Sequence, residues 1–275
     1  MINMTERISV QKETDKSRLS SFLEKDRIWA GYAICDLEDE LFPLCDWYVA
    51  TENNDVIALC LHFKGLKIPT QITMGNPLGV EKILEVVDSP KTMYAHIPLT
   101  HREAVQKFYS FSQLSLMKRM AVSKECFKPV EGSAVRLYER DLADLERLYT
   151  LHPSGAFFRP YMLTLGAYYG VRKDGELVSA AGTHVSSPSH GMACIGNVFT
   201  DPSHRGKGYA TACTSQVVKE LLTKYDDIIL NVDNQNRQAV RIYEKLGFRE
   251  HCVYLEGLGT LKKPKTAKKI ASSQF

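Results

Sequence analysis

The sequence predicts an α/β (α+β) protein built from two domains. Its 275 residues are close to twice the roughly 150 residues of an average domain. Hydrophobic residues (44%) and charged residues (24%) are balanced as in globular proteins, and strand-like and helix-like patterns alternate along the second half. We place the boundary near residue 130, where apolar periodicity stops and Pro129 and Gly132 occur. The predicted parts are domains at 1–130 and 131–260 and a basic flexible tail at 261–275.

The first half mixes predicted strands and helices. The run WYVATENNDVIALCLHF is typical of a hairpin that turns at Asn53–Asp55. EKILEVV and the stretch from Glu103 to Met120 are expected to be helical. The segment of this half most similar to a glycine-rich phosphate loop is GNPLG at 75–79, and it lacks cations. The pattern therefore assigns no chemistry to this half.

The second half gives a clearer order of elements: strand, helix, hairpin, strand, glycine-rich turn, helix, strand, helix and strand. The Asp174-Gly175 pair is a strong hairpin signal between two apolar runs. Gly247 stands where a helix C-cap is expected. The remaining predicted elements lie at 133–138, 141–151, 192–200, from 210 onward, 228–232 and 236–246.

Composition excludes several classes of protein. The longest apolar run, Val56 to Leu61, is far shorter than the roughly 20 residues of a membrane-spanning helix. No apolar signal segment is visible, so a cytoplasmic location is expected. Seven scattered cysteines without a CxxC pair favour neither a disulfide framework nor a metal site.

The net charge of +3 has a local source. Residues 261–275 carry five lysines and no acid, which is typical of a solvated tail rather than of a basic stripe on a folded surface. A nucleic-acid partner is therefore not expected. Homo-oligomer formation stays open.

The most informative segment is Arg205-Gly206-Lys207-Gly208-Tyr209-Ala210, between a strand and a helix. Two glycines allow backbone N–H groups to converge, and the N-terminus of the next helix carries partial positive charge. Two cations can add charged hydrogen bonds. The loop predicts a phosphate or diphosphate site, the alternative being an ordinary turn with two solvated cations. It is neither GxxxxGK[ST] nor GxGxxG, the signatures of nucleotide hydrolases and dinucleotide-binding proteins.

A second sequence motif follows the loop further along the chain. RGKGYA matches the pattern Q/R-x-x-G-x-G/A and follows a strand that ends in NVFTDP. Further on, the residues from Asn236 to Phe248 match N-x-x-A-x-x-x-Y-x-x-x-G-F. Over residues 133–260 the chain resembles the GNAT superfamily of acyl-coenzyme A-dependent N-acyltransferases. The stretch from Tyr168 to Phe248 is most similar to the branch that includes glycine N-acyltransferase C-terminal domains.

The resemblance implies a mixed, mainly antiparallel sheet flanked by helices, and acetyl-coenzyme A as the acyl donor. Asn236 would bind the pantetheine or hold the following helix, the alternative being a plain N-cap. Two central strands would diverge to admit the thioester, with Gly196 interpreted as a bulge. The pantetheine would pair with the backbone of Val198, Phe199 and Thr200. The diphosphate would lie on the N–H groups of Arg205, Gly206, Lys207, Gly208, Tyr209, Ala210 and Thr211.

Tyr243 is the predicted general acid, because a leaving thiolate benefits from a proton donor. The alternative is a tyrosine that only packs in the core. The general base stays open, since MACIGNVFT has no carboxylate where many relatives place a glutamate. His184 is the preferred substitute, and the alternatives are a water-relayed proton, Asp233 or Glu256.

The expected reaction transfers an acetyl or other short acyl group to the primary amine of a small or amino-acid-like acceptor, by direct attack in a ternary complex. Cys194 is interpreted as a buried thiol rather than as an acyl carrier. The competing function is a non-catalytic acyl-coenzyme A sensor or interaction module. Several two-domain relatives carry an N-terminal copy of the fold without the loop. The first half is therefore interpreted as a degenerate GNAT-like domain, the alternative being an unrelated α+β domain.

Overall fold

The computed structural model describes residues 8–152 and 158–262, which form two compact units. Unit 1 contains residues 8–117 and 253–262, and unit 2 is Lys118–Cys252. The predicted tail lies outside the described residues from residue 263 onward.

The elements are named in chain order. Those that begin in unit 1 are β1 (Ile8–Lys12), α1 (Lys16–Leu23), α2 (Arg27–Cys35), β2 (Cys45–Glu52), β3 (Asp55–Phe63), β4 (Thr70–Gly75), α3 (Pro77–Val86), β5 (Thr92–Pro98), α4 (Arg102–Phe108), β6 (Tyr109–Phe111) and β7 (Ser115–Ser123). Those that begin in unit 2 are β8 (Val135–Arg136), α5 (Leu142–Thr150), α6 (Pro160–Leu165), β9 (Tyr168–Lys173), β10 (Glu176–Ser187), β11 (Met192–Thr200), α7 (Tyr209–Leu221), β12 (Asp227–Asp233), α8 (Arg237–Lys245) and β13 (Arg249–Leu261).

The same order of elements occurs twice. From β1 to β6 and from β8 to β13 the chain runs through a strand, two helices, three strands, a helix, a strand, a helix and a strand. The first half of the chain (β1–β6) therefore has the same element order as the second half (β8–β13), and the glycine-rich loop with cations lies in the second half.

In unit 2 the strands follow the order β7-β12-β11-β10-β9-β8. β10 is antiparallel to both of its neighbours, whereas β11 and β12 are parallel. One core cluster buries apolar residues of α7 and α8 against the strands, and a second buries those of α5 and α6. The result is the predicted mixed, mainly antiparallel sheet with flanking helices.

In unit 1 the strands follow the order β1-β2-β3-β4-β5-β13, and β6 pairs with β13. β4 and β5 are its parallel pair. Residues of α3 and α4, including Ile83 and Val105, pack in one core cluster with the strands. The buried side chains of α1 and α2 include Leu19 and Trp29.

Local sequence explains the turns and helix ends. Asn53 (φ 50°) and Asn54 (φ 70°) form the β2–β3 turn, and Asp174 (φ 50°) and Gly175 (φ 83°) form the β9–β10 turn. Two consecutive positive φ angles match the twist of a two-residue hairpin, so both predicted hairpins are confirmed. The C-cap of α8 is Leu246, one residue before the predicted Gly247. Gly247 ends the helix with a φ of 94°, and a Cβ there would lie 2.0 Å from the carbonyl oxygen of Cys126.

The predicted helix from Glu103 to Met120 is wrong beyond residue 108. Tyr109 instead begins β6, and its buried side chain donates a hydrogen bond to the carbonyl oxygen of Pro90 at 2.7 Å. Phe111 pairs with Gly259, almost 150 residues away. Strand partners so distant in sequence outweigh the local helical periodicity.

The units divide at 117/118 and 252/253, whereas the sequence predicted boundaries at 130/131 and 260/261. Residues 124–134 have little regular structure but pack on unit 2. There, Lys128 N–H donates to the carbonyl oxygen of Leu246 at 3.0 Å, and Val130 N–H donates to Ser215 Oγ at 2.8 Å. A segment with the composition of a linker is thus a packed part of this unit.

No helix within residues 8–152 and 158–262 is both long and apolar enough to cross a bilayer.

Candidate active site

The site is built where β11 separates from β12. Their parallel ladder runs from Met192–Asp227 to Ile195–Leu230 and stops there, although both strands continue. The next residues of β11 therefore turn one backbone edge toward a gap rather than toward β12. Such a gap between parallel strands exposes unpaired N–H and C=O groups that an extended ligand can use.

A β-bulge changes the direction of β11 at this point. Gly182 of β10 pairs with Gly196, but Ala180 pairs with Phe199, so Asn197 and Val198 of β11 lie opposite the single residue Ala181 and β11 has one extra residue. Asn197 has a φ of 53°, the left-handed region that asparagine tolerates better than most residues. The predicted bulge exists, and its distorted residue follows Gly196 rather than being Gly196 itself.

Two buried tyrosines hold Asn197. Tyr149 of α5 donates to the carbonyl oxygen of Asn197 at 2.7 Å, and Asn197 Nδ2 donates to Tyr168 Oη at 2.9 Å. The Tyr168 ring occupies the space where a side chain at Gly182 would project, since a Cβ there would lie 2.2 Å from the ring. Three elements thus fix the conformation of the bulge.

The glycine-rich loop lies between β11 and α7. Gly206 (φ 77°) and Gly208 (φ 79°) adopt left-handed conformations, and a Cβ at either position would meet no atom within 4 Å. The first hydrogen bond of α7 joins Ala212 N–H to the carbonyl oxygen of Gly208 at 3.0 Å, so the preceding N–H groups have no acceptor within the helix. The loop therefore offers donors, open space and the positive end of a helix, which fits a diphosphate.

The turn before the loop is braced by its own side chains. Asp201 Oδ1 accepts hydrogen bonds from the N–H and hydroxyl groups of Ser203 at 2.8 and 2.7 Å, which lower the pKa of the Asp201 carboxyl. Arg205 Nε donates to the carbonyl oxygen of Thr200 at 3.2 Å, and its guanidinium lies over the Phe199 ring, 5.8 Å from the centroid. Both predicted cations, Arg205 and Lys207, are exposed.

A cleft of about 160 Å³ lies along this loop. Most of the predicted donor-binding residues line it, together with three residues that the sequence did not single out. The predicted ones are Thr200, Arg205, Gly206, Gly208, Tyr209, Ala210 and Thr211, and the additional ones are His204, Gln238 and Ile242. The structure thus brings the β11 end, the loop and α8 to one cleft. Four predicted donor-binding residues do not line it: Val198, Phe199, Lys207 and Asn236.

Asn236 is the N-cap of α8. Its Oδ1 accepts the Ala239 N–H at 3.1 Å, which is the plain capping alternative.

Tyr243 lies in the core cluster under α8, with 6% of its surface exposed. Its ring contacts Phe248 edge-on, with centroids 5.8 Å apart. Burial raises the pKa of Tyr243 to about 12, so the phenol is protonated at neutral pH. Within the described part of the chain, its hydroxyl has no hydrogen-bond partner.

His184 lies on β10 beside the bulge. A Cβ at Gly196 would lie 3.0 Å from the Cβ of His184, so the histidine covers the glycine that precedes Asn197. The imidazole is half-buried. Gly196 directly follows Ile195, the last residue of β11 that pairs with β12.

The other candidates for acid–base or covalent chemistry have different surroundings. Asp233 is exposed at the end of β12, where its carboxylate accepts the Gln235 N–H at 2.7 Å. Glu256 belongs to unit 1, where it accepts hydrogen bonds from the hydroxyl groups of Tyr94 and Tyr254 at 2.6 and 2.7 Å. Cys194 is fully buried, as predicted.

Unit 1 fills the equivalent gap with its own side chains. The β4–β5 ladder stops at Ile72–His96. Beyond it, Trp29 Nε1 donates to the carbonyl oxygen of Thr73 at 3.0 Å, while His101 bridges the Thr73 hydroxyl (2.9 Å) and the carbonyl oxygen of Gly75 (2.8 Å). Trp29 and His101 are buried. The backbone edge that is open in unit 2 is therefore occupied in unit 1.

Comparison with known proteins agrees with this geometry. A sequence model of the Acetyltransferase (GNAT) family matches residues 133–248. Residues 133–248 are a GNAT acetyltransferase domain. Acyl transfer from acyl-coenzyme A is the activity of this family, and the match covers the second half of the chain up to residue 248.

The similarity to individual relatives extends beyond residues 133–248. The mycothiol acetyltransferase of Tsukamurella paurometabola is 28% identical over 208 residues, which are 64% of this chain and 71% of that protein. A GCN5-related N-acetyltransferase from Sphaerobacter thermophilus shares the fold with a TM-score of 0.57 at 16% identity, over 92% of this chain and 95% of the other. A tandem GNAT protein from the clavulanic acid biosynthesis pathway has a TM-score of 0.56 at 12% identity, over 94% and 99% of the two chains. The shared fold therefore includes the repeated elements of unit 1.

Sequence reasoning missed the residues that shape the bulge. Asn197 stands in a Gly-Asn pair inside an apolar run, and such a pair is a turn signal that marks an interrupted strand. Tyr149 and Tyr168 carried no comparable signal, because their role depends on contacts made across 48 and 29 residues of sequence. Among the described residues no group of three His, Cys, Asp or Glu side chains could hold a metal ion.

Proposed function

We propose that the GNAT domain transfers an acetyl or other short acyl group from acetyl-coenzyme A to the primary amine of a small or amino-acid-like acceptor, by direct attack in a ternary complex. The observation that carries this proposal is the gap at which β11 leaves β12, directly before a glycine-rich loop with open space over Gly206 and Gly208. The likeness to a mycothiol acetyltransferase supports acetyl as the transferred group.

The chain's own groups would bind the donor along one line. The N–H groups from Gly206 to Thr211 would hold the diphosphate, and Arg205 and Lys207 would add charge. The free backbone edge of β11 at Val198 would pair with the amide groups of the pantetheine, as a strand would. This arrangement delivers the thioester to the bulge at Asn197.

Bound acetyl-coenzyme A supplies an activated carbonyl, which the neutral amine attacks while the carbon–sulfur bond breaks. Tyr243 would donate a hydrogen bond to the leaving sulfur, because its phenol keeps its proton at neutral pH. A phenol with a pKa of about 12 is a weaker acid than a thiol at about 8.5. Stabilisation of the thiolate by hydrogen bonding is therefore its main contribution.

His184 is the proposed acceptor of the amine proton. It lies against Gly196, beside the bulge, and an imidazole can exchange a proton near neutral pH. β11 carries no carboxylate, so a water molecule next to His184 is the remaining route for this proton.

The same missing carboxylate favours a second candidate, a non-catalytic acyl-coenzyme A sensor. A sensor would keep the loop and the β11 edge but would need neither Tyr243 nor His184. Binding and turnover measurements together separate the two functions.

The test is calorimetric titration of the full chain with acetyl-coenzyme A, followed by an amine-acceptor screen. Gly208→Trp fills the space over the loop, and Gly175→Trp is the matched control, because its φ is also positive (83°) and its surroundings are equally open. We expect one acetyl-coenzyme A per chain, since Trp29 and His101 occupy the gap in unit 1. Binding should be lost only in Gly208→Trp. Absence of binding by the natural chain would overturn both candidates, and binding without turnover would favour the sensor.

A further inference from the structure

Asn231 lies at the mouth of the gap and has no role in the proposed reaction. It directly follows Leu230, the last residue of β12 that pairs with β11. Leu230 and Val232 both belong to the core cluster under α7 and α8, so alternation along the strand turns Asn231 to the opposite face of the sheet. Asn231 is half-buried there, which leaves part of its side chain accessible.

The same face carries the proposed acceptor of the amine proton. Ile195 belongs to the core cluster under α7 and α8, so Gly196, the next residue of β11, faces the same way as Asn231. His184 covers that glycine, because its Cβ would lie 3.0 Å from a Cβ at Gly196. Neighbouring strands are about 4.8 Å apart, so Asn231 on β12 and His184 on β10 flank Gly196 across at least about 10 Å. The glycine has no side chain to occupy the space between these two polar groups.

A buried arginine fixes the orientation of the Asn231 amide. Arg119 of β7 is fully buried, and its Nε donates to Asn231 Oδ1 at 2.8 Å. An arginine nitrogen can only donate, so the atom that faces it is the amide oxygen, and Nδ2 points away from β7. Among the residues that the structure describes, Nδ2 has no hydrogen-bond acceptor. An oriented N–H donor is therefore available beside the gap.

The arginine also favours a negatively charged partner for that donor. A guanidinium is protonated at neutral pH, and its charge-assisted bond to Oδ1 polarises the amide, which makes Nδ2 a stronger donor. Because Arg119 is fully buried, salt screens its positive potential only weakly. The next side chain of β12 on this face, Asp233, is exposed, and its carboxylate accepts the Gln235 N–H at 2.7 Å. A carboxylate is thus a better partner for Nδ2 than a neutral carbonyl group.

We propose that Asn231 determines the specificity for the acceptor, by binding a carboxylate on the carbon next to the acceptor amine through Nδ2, and that Arg119 is the residue that positions it. The inference rests on the proposed function, because His184 must receive the proton of that amine. An amine above Gly196 lies between His184 and Asn231, so a group attached close to the amine reaches Nδ2. The substrate class is therefore the α-amino carboxylates, rather than amines without a neighbouring oxygen.

The test compares three acceptors that share one side chain: leucine, leucine amide and isoamylamine. The full chain is assayed with saturating acetyl-coenzyme A, and the release of free coenzyme A gives kcat/KM for each acceptor. The variant is Asn231→Asp, which keeps an oxygen for Arg119 Nε and replaces the Nδ2 donor by an oxygen that repels a carboxylate. The control is Asn76→Asp, which makes the same change at the N-cap of α3, where asparagine and aspartate cap equally well.

We expect the natural chain and the Asn76→Asp variant to prefer leucine to isoamylamine, with leucine amide between them. Asn231→Asp should lower the ratio of kcat/KM for leucine to that for isoamylamine by at least about tenfold, because a hydrogen bond to a charged group is lost. The same acceptors are compared in each variant, so differences in amine basicity cancel. A ratio that Asn231→Asp leaves unchanged, or a natural chain that prefers isoamylamine, would overturn the acceptor assignment alone.

Arg119→Met removes the donor to Oδ1 and should lower the same ratio, because the amide can then turn its oxygen toward the acceptor. Titration with acetyl-coenzyme A shows whether this variant is folded, and an unchanged ratio in the folded variant would overturn the role of Arg119. If the natural chain bound acetyl-coenzyme A but acetylated neither these acceptors nor any other in the amine-acceptor screen, the proposed acyl transfer itself would fail, and the acceptor assignment with it.

Discussion

Substitution of Gly208 by alanine tests two effects: the energetic cost of a left-handed backbone conformation and the loss of space for a ligand. Its φ is 79°, and a Cβ at this position would meet no protein atom within 4 Å. Gly208→Ala therefore introduces no clash in the free protein. It does require an L-residue in the left-handed region, which costs about 1–2 kcal/mol.

That cost has two observable forms. If the loop keeps its conformation, the free energy of unfolding falls by about 1–2 kcal/mol, and the new methyl group lies in the space proposed for the diphosphate. If the loop relaxes instead, donor binding must restore it, and the same energy weakens binding by about five- to thirtyfold. In both cases we expect the affinity for acetyl-coenzyme A to fall at least about fivefold.

Gly175→Ala is the matched control. Gly175 has a φ of 83° and equally open surroundings, but it lies in the β9–β10 turn. The same loss of about 1–2 kcal/mol on unfolding is expected, with unchanged affinity for the donor. Urea denaturation and calorimetric titration of both variants provide the two measurements. Natural affinity in Gly208→Ala, or equal weakening in both variants, would refute the assignment of the loop.

Three further perturbations test other parts of the account. Tyr243→Phe should lower kcat by about a hundredfold while the KM for the donor stays nearly unchanged. The measurement is a steady-state assay with an amine that the natural chain acetylates. An unchanged kcat would leave Tyr243 with a packing role only. Tyr149→Phe removes the hydroxyl that donates a hydrogen bond to the carbonyl oxygen of Asn197, and the free energy of unfolding measured with urea should fall by about 1–3 kcal/mol. A fall smaller than the error of that measurement would show that the bulge does not depend on this bond. Burial lowers the pKa of His62 to about 4, from 6.5, so the folded chain binds fewer protons than the unfolded chain between these values, and stability falls as the pH drops from 6.5 to 4. His62→Gln should reduce this fall, as measured by denaturation at pH 7 and pH 5, and an identical fall in the variant would contradict the role of His62.

The parts of the site that the sequence predicted are those built from neighbouring residues. The strand at 192–200, the glycine-rich loop and the helix end at Gly247 each depend on a few adjacent residues with strong conformational preferences. Spacing between two such local signals was enough to predict the family whose sequence model matches residues 133–248.

The parts that the sequence did not predict depend on distant partners. Asn197 is held by tyrosines from α5 and β9, and neither tyrosine differs in pattern from a core residue. Tyr109 leaves the predicted helix because β13 supplies a strand partner, as its register with Leu261 shows. Glu256 was a candidate base on the basis of its position near a strand end, but β13 carries it into unit 1. These outcomes follow from strand pairing, which periodicity along a single segment does not encode.

Amine-dependent turnover is the most direct test of the central claim. The full chain is incubated with acetyl-coenzyme A and a panel of small amines and amino acids, free coenzyme A is quantified, and the products are identified by mass spectrometry. We predict release of coenzyme A that requires the amine, an acetyl group in amide linkage on the product, and loss of both in Gly208→Trp but not in Gly175→Trp. Tight binding of acetyl-coenzyme A without transfer to any amine, or transfer that persists in Gly208→Trp, would contradict the account.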